Sequence, residues 1–388
     1  MFSGPVGFVN PLDSIERRHI RMKIVFCVKE LAGIAGGAER VLADIANGLA
    51  SRGHRVHVLS LDEEEQVPFY SFSPEVTFLP LGHPRTGTFP AVSGFLRMKR
   101  RASDLHPDVI FGFLPSTYVF MAGLFWLTPQ KFIACEHITR TWYHLRPLKY
   151  VAVIIAAFMS SKMSFLSAEI AREYRGITER KKIILQNPVQ DFQKQANVMG
   201  DDKRHYTILS VGRLVEFKDH KTLIKAFAAV VTEFPKWRLK IIGTGVLRSD
   251  LDALIDSLSL NNVVGIFDHS DDIEADYANA DLFVMPSRYE GFGLVTAEAS
   301  SCGLPCVGFN DAAGTNSIIR HGENGILVKH NGDRAEALSS ALRLLIKNPQ
   351  EMRRLGQNGL SRPNWFELNT VLDHWEETIV ATTDVSRH

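Results

Sequence analysis

Two successive sets of alternating strand-like and helix-like segments limit this chain to a small number of folds. Short apolar runs at 24–28 and 55–60 flank the stretch 38–49, in which apolar residues recur at helical spacing. The same alternation begins again at 206–211 and continues to 305–308. Strands that alternate with helices in this way form parallel sheets covered by helices on both faces. The sequence therefore predicts an α/β protein with two Rossmann-like, doubly wound domains.

The boundary between the domains is predicted within 187–203, which is polar and only weakly periodic. After the second domain, apolar residues at 368–379 mark one face of a helix, which we expect to pack back on the first domain. The start of the chain lacks the apolar core of a secretion signal, and Met22-Lys23-Ile24 resembles a translation start. The predicted parts are an extension of undecided status at 1–21, a first domain at 22–188, a second domain at 189–362 and a terminal helix at 363–388.

Charge and cysteine content exclude several classes of protein. The chain has 44 Lys and Arg residues against 43 Asp and Glu residues, so it lacks the basic excess typical of nucleic-acid binding, and no nucleic-acid partner is expected. The four cysteines lie within apolar runs, which predicts buried, reduced thiols rather than disulfides or a metal site. They are Cys27, Cys135, Cys302 and Cys306. Reduced thiols are typical of a cytoplasmic protein.

The longest uncharged stretch, 109–130, has the length of a membrane span. Pro115 and Pro129 interrupt it, and a second apolar run at 150–161 is too short to cross a bilayer. We therefore predict buried strands and helices here. The basic run 97–101 is typical either of a solvated helix face or of a surface that contacts anionic lipid, and both interpretations stay open.

Turns that follow predicted strands are the places where parallel sheets bind ligands. The turn at 33–40 contains Gly36 and Gly37, whose backbone N–H groups can approach an anion at the start of a helix. The turn at 212–219 contains Arg213 and Lys218, a pairing that suits a diphosphate. Taken alone, the first turn fits a purely structural role as well, and the second fits a solvated surface loop.

A third turn, 286–293, joins the predicted strand 282–285 to a helix that opens near Leu294. Its glycines would expose N–H groups next to the positive end of that helix, which favours an anion. Glu290 stands before the glycines and Glu298 lies about one turn inside the helix, where carboxylates can bind sugar hydroxyls or steady a positive centre. Taken alone, Glu298 is more typical of an exposed helix position, and Glu290 fits either role.

Two strings that match known motifs by their letters are discounted. Asp250-Leu251-Asp252 matches a metal-binding DxD, but it lies in a helical run with Leu251 toward the core. The run 243–245 has two glycines and lacks the third glycine of a dinucleotide fingerprint. We therefore expect neither a metal site nor a nicotinamide cofactor at these positions.

Taken together, the turns resemble the family 4 glycosyltransferases. The run Gly-Gly-Ala-Glu-Arg at 36–40 is similar to a first-domain glycine loop of that family, and 212–218 is similar to its donor-diphosphate loop. Glu290 and Glu298 match the E-x7-E motif, and the segments 303–305 and 322–328 are similar to those that follow it. The likeness covers about 22–349 and is strongest after 211.

The resemblance implies a GT-B fold, in which two Rossmann-like domains face a cleft, and a retaining, metal-independent transfer of a hexosyl group. It implies that Arg213 and Lys218 hold the nucleoside diphosphate and that Glu298 binds the ribose. Glu290 corresponds to a residue near the donor sugar, and His137, which follows the apolar strand 132–135, to a first-domain histidine there. His137 and Glu290 are accordingly the predicted catalytic residues. The remaining predicted donor contacts are Gly36, Gly37, Gly291, Phe292, Gly293 and Leu294.

The function implied by the resemblance is transfer from a nucleotide sugar, with UDP as the expected nucleotide, to a saccharide acceptor. A lipid-linked acceptor in surface-polysaccharide or glycan biosynthesis is the leading interpretation, with the protein bound peripherally to the inner face of the cytoplasmic membrane. No cofactor and no metal are expected. The alternatives are a soluble small-molecule or sugar-phosphate acceptor, and a catalytically silent partner subunit with the same fold.

Overall fold

A computed structural model describes residues 21–34, 36–82, 90–190, 192–200, 203–361 and 366–383. The predicted extension at 1–21 lies outside these ranges except for Arg21. The first set of strands is β1 (Lys23–Cys27), β2 (Arg55–Ser60), β3 (Thr77–Pro80), β4 (Val109–Phe113), β5 (Lys131–Cys135), β6 (Lys162–Phe165) and β7 (Lys182–Ile184). The second set is β8 (Tyr206–Val211), β9 (Trp237–Ile242), β10 (Val264–Phe267), β11 (Leu282–Met285), β12 (Cys306–Phe309) and β13 (Gly325–Val328).

Each set of strands forms one sheet, and every pairing within the sheets is parallel. The strand order is β3-β2-β1-β4-β5-β6-β7 in the first sheet and β10-β9-β8-β11-β12-β13 in the second. In both sheets the order reverses beside the first strand of the set, where chain connections leave in opposite directions and open a crevice. The strand runs are apolar because helices cover both faces.

Helices α1 to α5 accompany the first sheet and helices α6 to α12 accompany the second. They are α1 (Gly37–Ser51), α2 (Pro90–Asp104), α3 (Pro115–Phe125), α4 (Pro147–Met159), α5 (Ala168–Glu173), α6 (His220–Val231), α7 (Arg248–Ser257), α8 (Ile273–Asn279), α9 (Leu294–Ser301), α10 (Ala313–Asn316), α11 (Arg334–Ile346) and α12 (Pro349–Leu360). Short 3-10 turns lie at Arg140–Tyr143, Glu179–Lys181 and Glu216–Lys218. None of the helices in the described ranges has the length and apolar character needed to cross a membrane.

A thirteenth helix, α13 (Leu368–Thr383), follows the second sheet and packs on the first. The Trp375 ring lies 4.9 Å from that of Phe111 and 6.0 Å from that of Phe26, measured between centroids. The helix comes close to α1 because Gly48 has no side chain there: a Cβ on Gly48 would lie 2.6 Å from Leu372 Cδ1. The chain therefore crosses between the two sheets twice.

The two crossings lie side by side. The backbone N–H of Val189, on the way to the second sheet, donates a hydrogen bond to the carbonyl oxygen of Phe366, on the way back, over 2.9 Å. The Phe366 ring also meets that of Phe292 edge to face, with centroids 5.3 Å apart. The paired crossings therefore adjoin the turn after β11.

The four cysteines are buried and form no disulfides. Burial raises the pKa of the Cys135 thiol to about 12, so it stays protonated at neutral pH. The prediction of buried, reduced cysteines agrees with this arrangement.

Candidate functional site

The predicted site residues come from turns after β1, β5, β8 and β11, at the carboxyl ends of both sheets. Turns from the two sheets are in direct contact. A Cβ on Gly291 would lie 2.1 Å from the carbonyl oxygen of His137, so only glycine allows this approach. A Cβ on Gly37 would lie 4.0 Å from Leu294 Cδ2. The structure thus brings the first-sheet turns of Gly37 and His137 against the glycine turn after β11.

Lys218 and Glu290, predicted from separate motifs, form an ion pair. The Lys218 Nζ lies 2.7 Å from Glu290 Oε2, and the two side chains are only 12% and 14% exposed. The interpretation of this lysine as a solvated surface residue is therefore wrong. The Lys218 side chain lies across Gly212, where a Cβ would be 3.5 Å from its Cδ and Cε atoms. The ammonium group is held at the carboxyl end of the second sheet.

Arg213 is exposed and leaves its guanidinium available at the same edge of the sheet. Its Cζ lies 5.8 Å from the centroid of the Phe217 ring, a cation–π contact that orients the side chain. The positive charge of Arg213 also acts on Glu39 of the first domain. Burial raises the pKa of Glu39, and the charge of Arg213 partly offsets that rise. The positive field of the second domain therefore extends across the domain boundary.

The glycine turn before α1 differs from the prediction in one respect. Gly36 is the N-cap of α1, and a Cβ there would lie 2.0 Å from Glu39 Oε2. The Glu39 carboxylate thus lies against the start of α1, where the sequence predicts an anionic group of the donor. The physical reason is that the positive end of a helix attracts a carboxylate from its own first turn. Gly36 and Gly37 remain candidate donor contacts, with this carboxylate as their neighbour.

Glu298 is buried, with 1% of its side chain exposed, so its interpretation as an ordinary exposed helix residue is wrong. Its Oε1 accepts a hydrogen bond from Arg40 Nη1 at 2.7 Å, and its Oε2 accepts one from the Tyr277 hydroxyl at 3.0 Å. Burial raises the pKa of Glu298, and Arg40 and Tyr277 work against that rise. Arg40 also donates to Gln190, beside the first crossing. The Arg40–Glu298 pair therefore bridges the domains.

His137 lies next to the first-sheet core and faces the second domain through its carbonyl oxygen. Its ring lies on that of Phe113, with centroids 4.9 Å apart and planes at 31°. Burial lowers the pKa of His137 to about 4, so the imidazole is neutral near pH 7. The buried Nδ1 atom finds no hydrogen-bond partner among the described residues. A neutral imidazole here can exchange hydrogen bonds with a sugar without bringing in charge.

Arg334 ties together two of the turns that carry candidate residues, and no sequence motif predicts it. Its side chain is 7% exposed, stacks 3.7 Å over the Phe309 ring, and donates to the carbonyl oxygens of Pro286 and Ser287. Its Nε lies 3.3 Å from the Oδ2 of Asp219, the residue after Lys218. Arg334 therefore fixes the turns after β8 and β11 relative to each other and to the end of β12.

A cavity of about 520 Å³ opens beside this cluster, between the two domains. Thr141 lines it from the first domain, and Lys225, Arg288 and Tyr289 line it from the second. Arg288 Nε also lies 3.0 Å from Asp219 Oδ2, which keeps the wall of the cavity near the Lys218 turn. The cavity has space for a ligand that contacts both domains.

The discounted DxD string lies in α7, and both of its carboxylates face cations. Asp252 Oδ2 is 2.9 Å from Arg248 Nε, and Asp250 Oδ2 is 3.6 Å from Lys221 Nζ. No group of three or more His, Cys, Asp or Glu side chains with the geometry of a metal site occurs in the described part of the chain. Here the string makes ion pairs on a helix surface.

Two family models match adjacent parts of the chain. Residues 35–189 match Glycosyltransferase Family 4, and residues 191–362 match Glycosyl transferases group 1. An uncharacterized glycosyltransferase of Haemophilus influenzae is 26% identical over 356 residues, covering 91% of this chain and 99% of that protein. The amylovoran biosynthesis glycosyltransferase AmsD of Erwinia amylovora is 22% identical, covering 89% of this chain and 96% of that protein.

Solved structures show the same fold. The crystal structure of Anabaena HepE in complex with UDP and glucose superimposes with a TM-score of 0.77 at 20% sequence identity. The superposition covers 93% of this chain and 100% of that one. The predicted GT-B fold, with two Rossmann-like domains facing a cleft, is confirmed.

Proposed function

The chain belongs to the family 4 glycosyltransferases, and from that premise we propose that it is a retaining, metal-independent hexosyltransferase that moves a sugar from a nucleotide sugar to a saccharide acceptor. One observation carries the proposal: Gly291 of the second domain meets the backbone of His137 of the first domain, and Glu290, the residue before Gly291, is paired with Lys218. Residues suited to the sugar and to its diphosphate therefore lie at one place on the domain boundary. UDP is the proposed nucleotide, because the structural neighbour HepE was solved with UDP.

The proposed step breaks the bond between the sugar's anomeric carbon and the nucleoside diphosphate. The acceptor hydroxyl attacks from the face that the diphosphate leaves, and its proton passes to the leaving phosphate oxygen. Lys218, Arg213 and the free N–H groups at the start of α9 stabilise the charge that builds up on the leaving group. Glu298 binds the ribose hydroxyls in exchange for its bond with Arg40. The acceptor saccharide enters through the cavity beside Thr141 and Arg288.

Calorimetric titration with UDP, GDP, ADP and NAD, in the absence of divalent metal, tests the proposal. We expect micromolar binding of one nucleoside diphosphate and no binding of NAD, because Arg213 and Lys218 supply the cations that a diphosphate needs. Binding of none of the four would contradict the donor assignment and favour a catalytically silent partner subunit. Incubation of the protein with the matching nucleotide sugars then identifies the transferred sugar by release of the diphosphate.

A lipid-linked acceptor and attachment to the cytoplasmic membrane surface are the second part of the proposal. An exposed apolar strip on α4 supports it, formed by Leu148, Val151, Ile155 and Phe158, which are 85%, 52%, 49% and 67% exposed. The Phe158 ring meets that of Trp126, 45% exposed, at the end of α3. Basic side chains suit anionic lipid. Arg146 and Lys149 are exposed on either side of Leu148 in the sequence, and the run 97–101 on α2 adds further exposed basic residues.

Liposome flotation measures this attachment directly. We expect the protein to float with vesicles that contain anionic phospholipid, and the double variant L148E/F158E to stay at the bottom of the gradient because it places two charges in the strip. The control is Leu344→Glu, since Leu344 is 67% exposed on α11 of the second domain, and it should float like the wild type. Failure of the wild type to float would favour the soluble-acceptor alternative.

A further inference from the structure

A buried carboxylate, that of Glu136, lies beside His137, and no sequence motif predicts a role for it. Glu136 is 1% exposed and points into the first domain rather than toward the cleft. Its Oε2 accepts hydrogen bonds from the Tyr118 hydroxyl at 2.6 Å and the Tyr143 hydroxyl at 2.9 Å. Its Oε1 accepts one from the backbone N–H of Ile138 at 2.9 Å. These three donors are two neutral hydroxyls and one backbone N–H.

These bonds hold the peptide groups on both sides of His137. The Glu136 side chain fixes the N–H of Ile138, and the Tyr174 hydroxyl donates to the Ile138 carbonyl oxygen at 2.6 Å. The backbone N–H of Glu136 donates to Ser164 on β6 at 3.1 Å. His137 is therefore clamped between two anchored residues. The position of its carbonyl oxygen, against which Gly291 packs, depends on the same bonds.

We propose that Glu136 is a positioning residue that keeps His137 in place for sugar transfer, and that protonation of Glu136 loosens this placement. The inference rests on the proposed function and concerns the same site. Ionised Glu136 can accept all three hydrogen bonds, because a carboxylate only accepts. A protonated Glu136 must donate one proton, so a tyrosine hydroxyl has to turn away and the clamp on residues 136–138 weakens.

Glu136 is the group in this cluster that titrates near neutral pH. Burial raises the pKa of Glu136 to about 7, while the hydrogen bonds from the tyrosines and from Ile138 oppose that rise. The facing groups come from α3, the 3-10 turn, the end of α5 and β5: Tyr118, Tyr143, Tyr174 and Cys135. Burial raises the pKa of each of these four groups, so they stay protonated. His137, with a pKa lowered to about 4, stays neutral.

The test is the pH profile of kcat for sugar release from the nucleotide sugar that the protein uses. We expect wild-type kcat to rise as the pH increases through about 7, because the ionised form accepts all three bonds. Glu136→Gln should lower the plateau about 10-fold, with the donor KM changed less than about 2-fold, and should abolish the rise. Tyr118→Phe removes a donor to the ionised form, so the midpoint should move to higher pH.

Tyr150→Phe is the matched control, because the Tyr150 hydroxyl lies in the same aromatic cluster and donates to the Arg175 carbonyl oxygen instead. Its midpoint should match that of the wild type. A rise that persists unchanged in Glu136→Gln, or a midpoint that moves as far in Tyr150→Phe as in Tyr118→Phe, overturns the inference alone. A wild-type protein that binds no nucleoside diphosphate and releases no sugar overturns the proposed function as well.

Discussion

Replacing Lys218 with alanine is expected to lower sugar transfer about 100- to 1,000-fold, the effect of removing a donor that stabilises charge in the transition state. The Lys218 side chain is 12% exposed, and its ammonium is held 2.7 Å from Glu290 Oε2. A solvent-exposed cation could therefore replace this ammonium only at a cost in free energy. The substitution also leaves the Glu290 carboxylate without this partner, which repels a diphosphate. We expect the Kd for the nucleoside diphosphate to rise about 10- to 150-fold, equivalent to about 1.5–3 kcal/mol for a charge-assisted hydrogen bond.

Two variants separate the role of this ammonium from that of positive charge in general. Lys221→Ala removes a partly exposed lysine of α6 that faces Glu216 and Asp250 at 3.8 and 3.6 Å, and it should transfer at the wild-type rate. Lys218→Arg keeps the charge but changes the shape, so it should recover binding better than turnover. Transfer by Lys218→Ala at the wild-type rate would remove Lys218 from the site.

Gly291→Ala is expected to lower transfer about 100-fold while leaving the affinity for the nucleoside diphosphate close to that of the wild type. The added Cβ would lie 2.1 Å from the carbonyl oxygen of His137, so the turn and the first domain must move apart by about 1 Å, a displacement that costs on the order of 100-fold in rate. Nucleotide binding survives because Arg213 and Lys218 both belong to the second domain.

Small-angle scattering in the presence of the nucleoside diphosphate reports the separation of the domains, and we expect a larger radius of gyration for Gly291→Ala than for the wild type. Gly123→Ala, on α3, is the control. Its added Cβ would lie 3.8 Å from Met159 Sδ of α4, which is an ordinary van der Waals contact. A Gly291→Ala protein with wild-type turnover would show that His137 and the glycine turn do not need to meet during transfer.

Much of the fold could be predicted from local sequence because many of the strands are short apolar runs and many of the helices carry an apolar face. The predicted strand 282–285 appears as β11 with the same limits, and the helix predicted to open near Leu294 begins there as α9. Predictions of this kind need only neighbouring residues, since the pattern reflects burial on both faces of a parallel sheet. The paired crossings at Val189 and Phe366 depend on contacts between segments that are distant in sequence, so no local pattern predicts them.

The site was predictable to the extent that its residues belong to short motifs. Lys218 and Glu290 stand in such motifs, and their pairing places both at one point. The bond between Arg40 and Glu298 joins residues 258 positions apart, so spacing could not reveal that Glu298 is buried. Glu136 was missed because the tyrosines that bind it, 18 and 7 residues away, look like ordinary core aromatics in the sequence.

The second domain is inserted within the first domain, because the chain leaves the first domain near Val189 and returns to it beside the same point, near Phe366. Both ends of the inserted segment leave from one spot, where the Val189–Phe366 hydrogen bond joins them. A segment of a related transferase could therefore be exchanged for 190–361 at two adjacent junctions, without disturbing the packing of Trp375 on Phe26 and Phe111. The same geometry has a consequence for movement: any rotation of one domain against the other would bend the chain at these two neighbouring crossings.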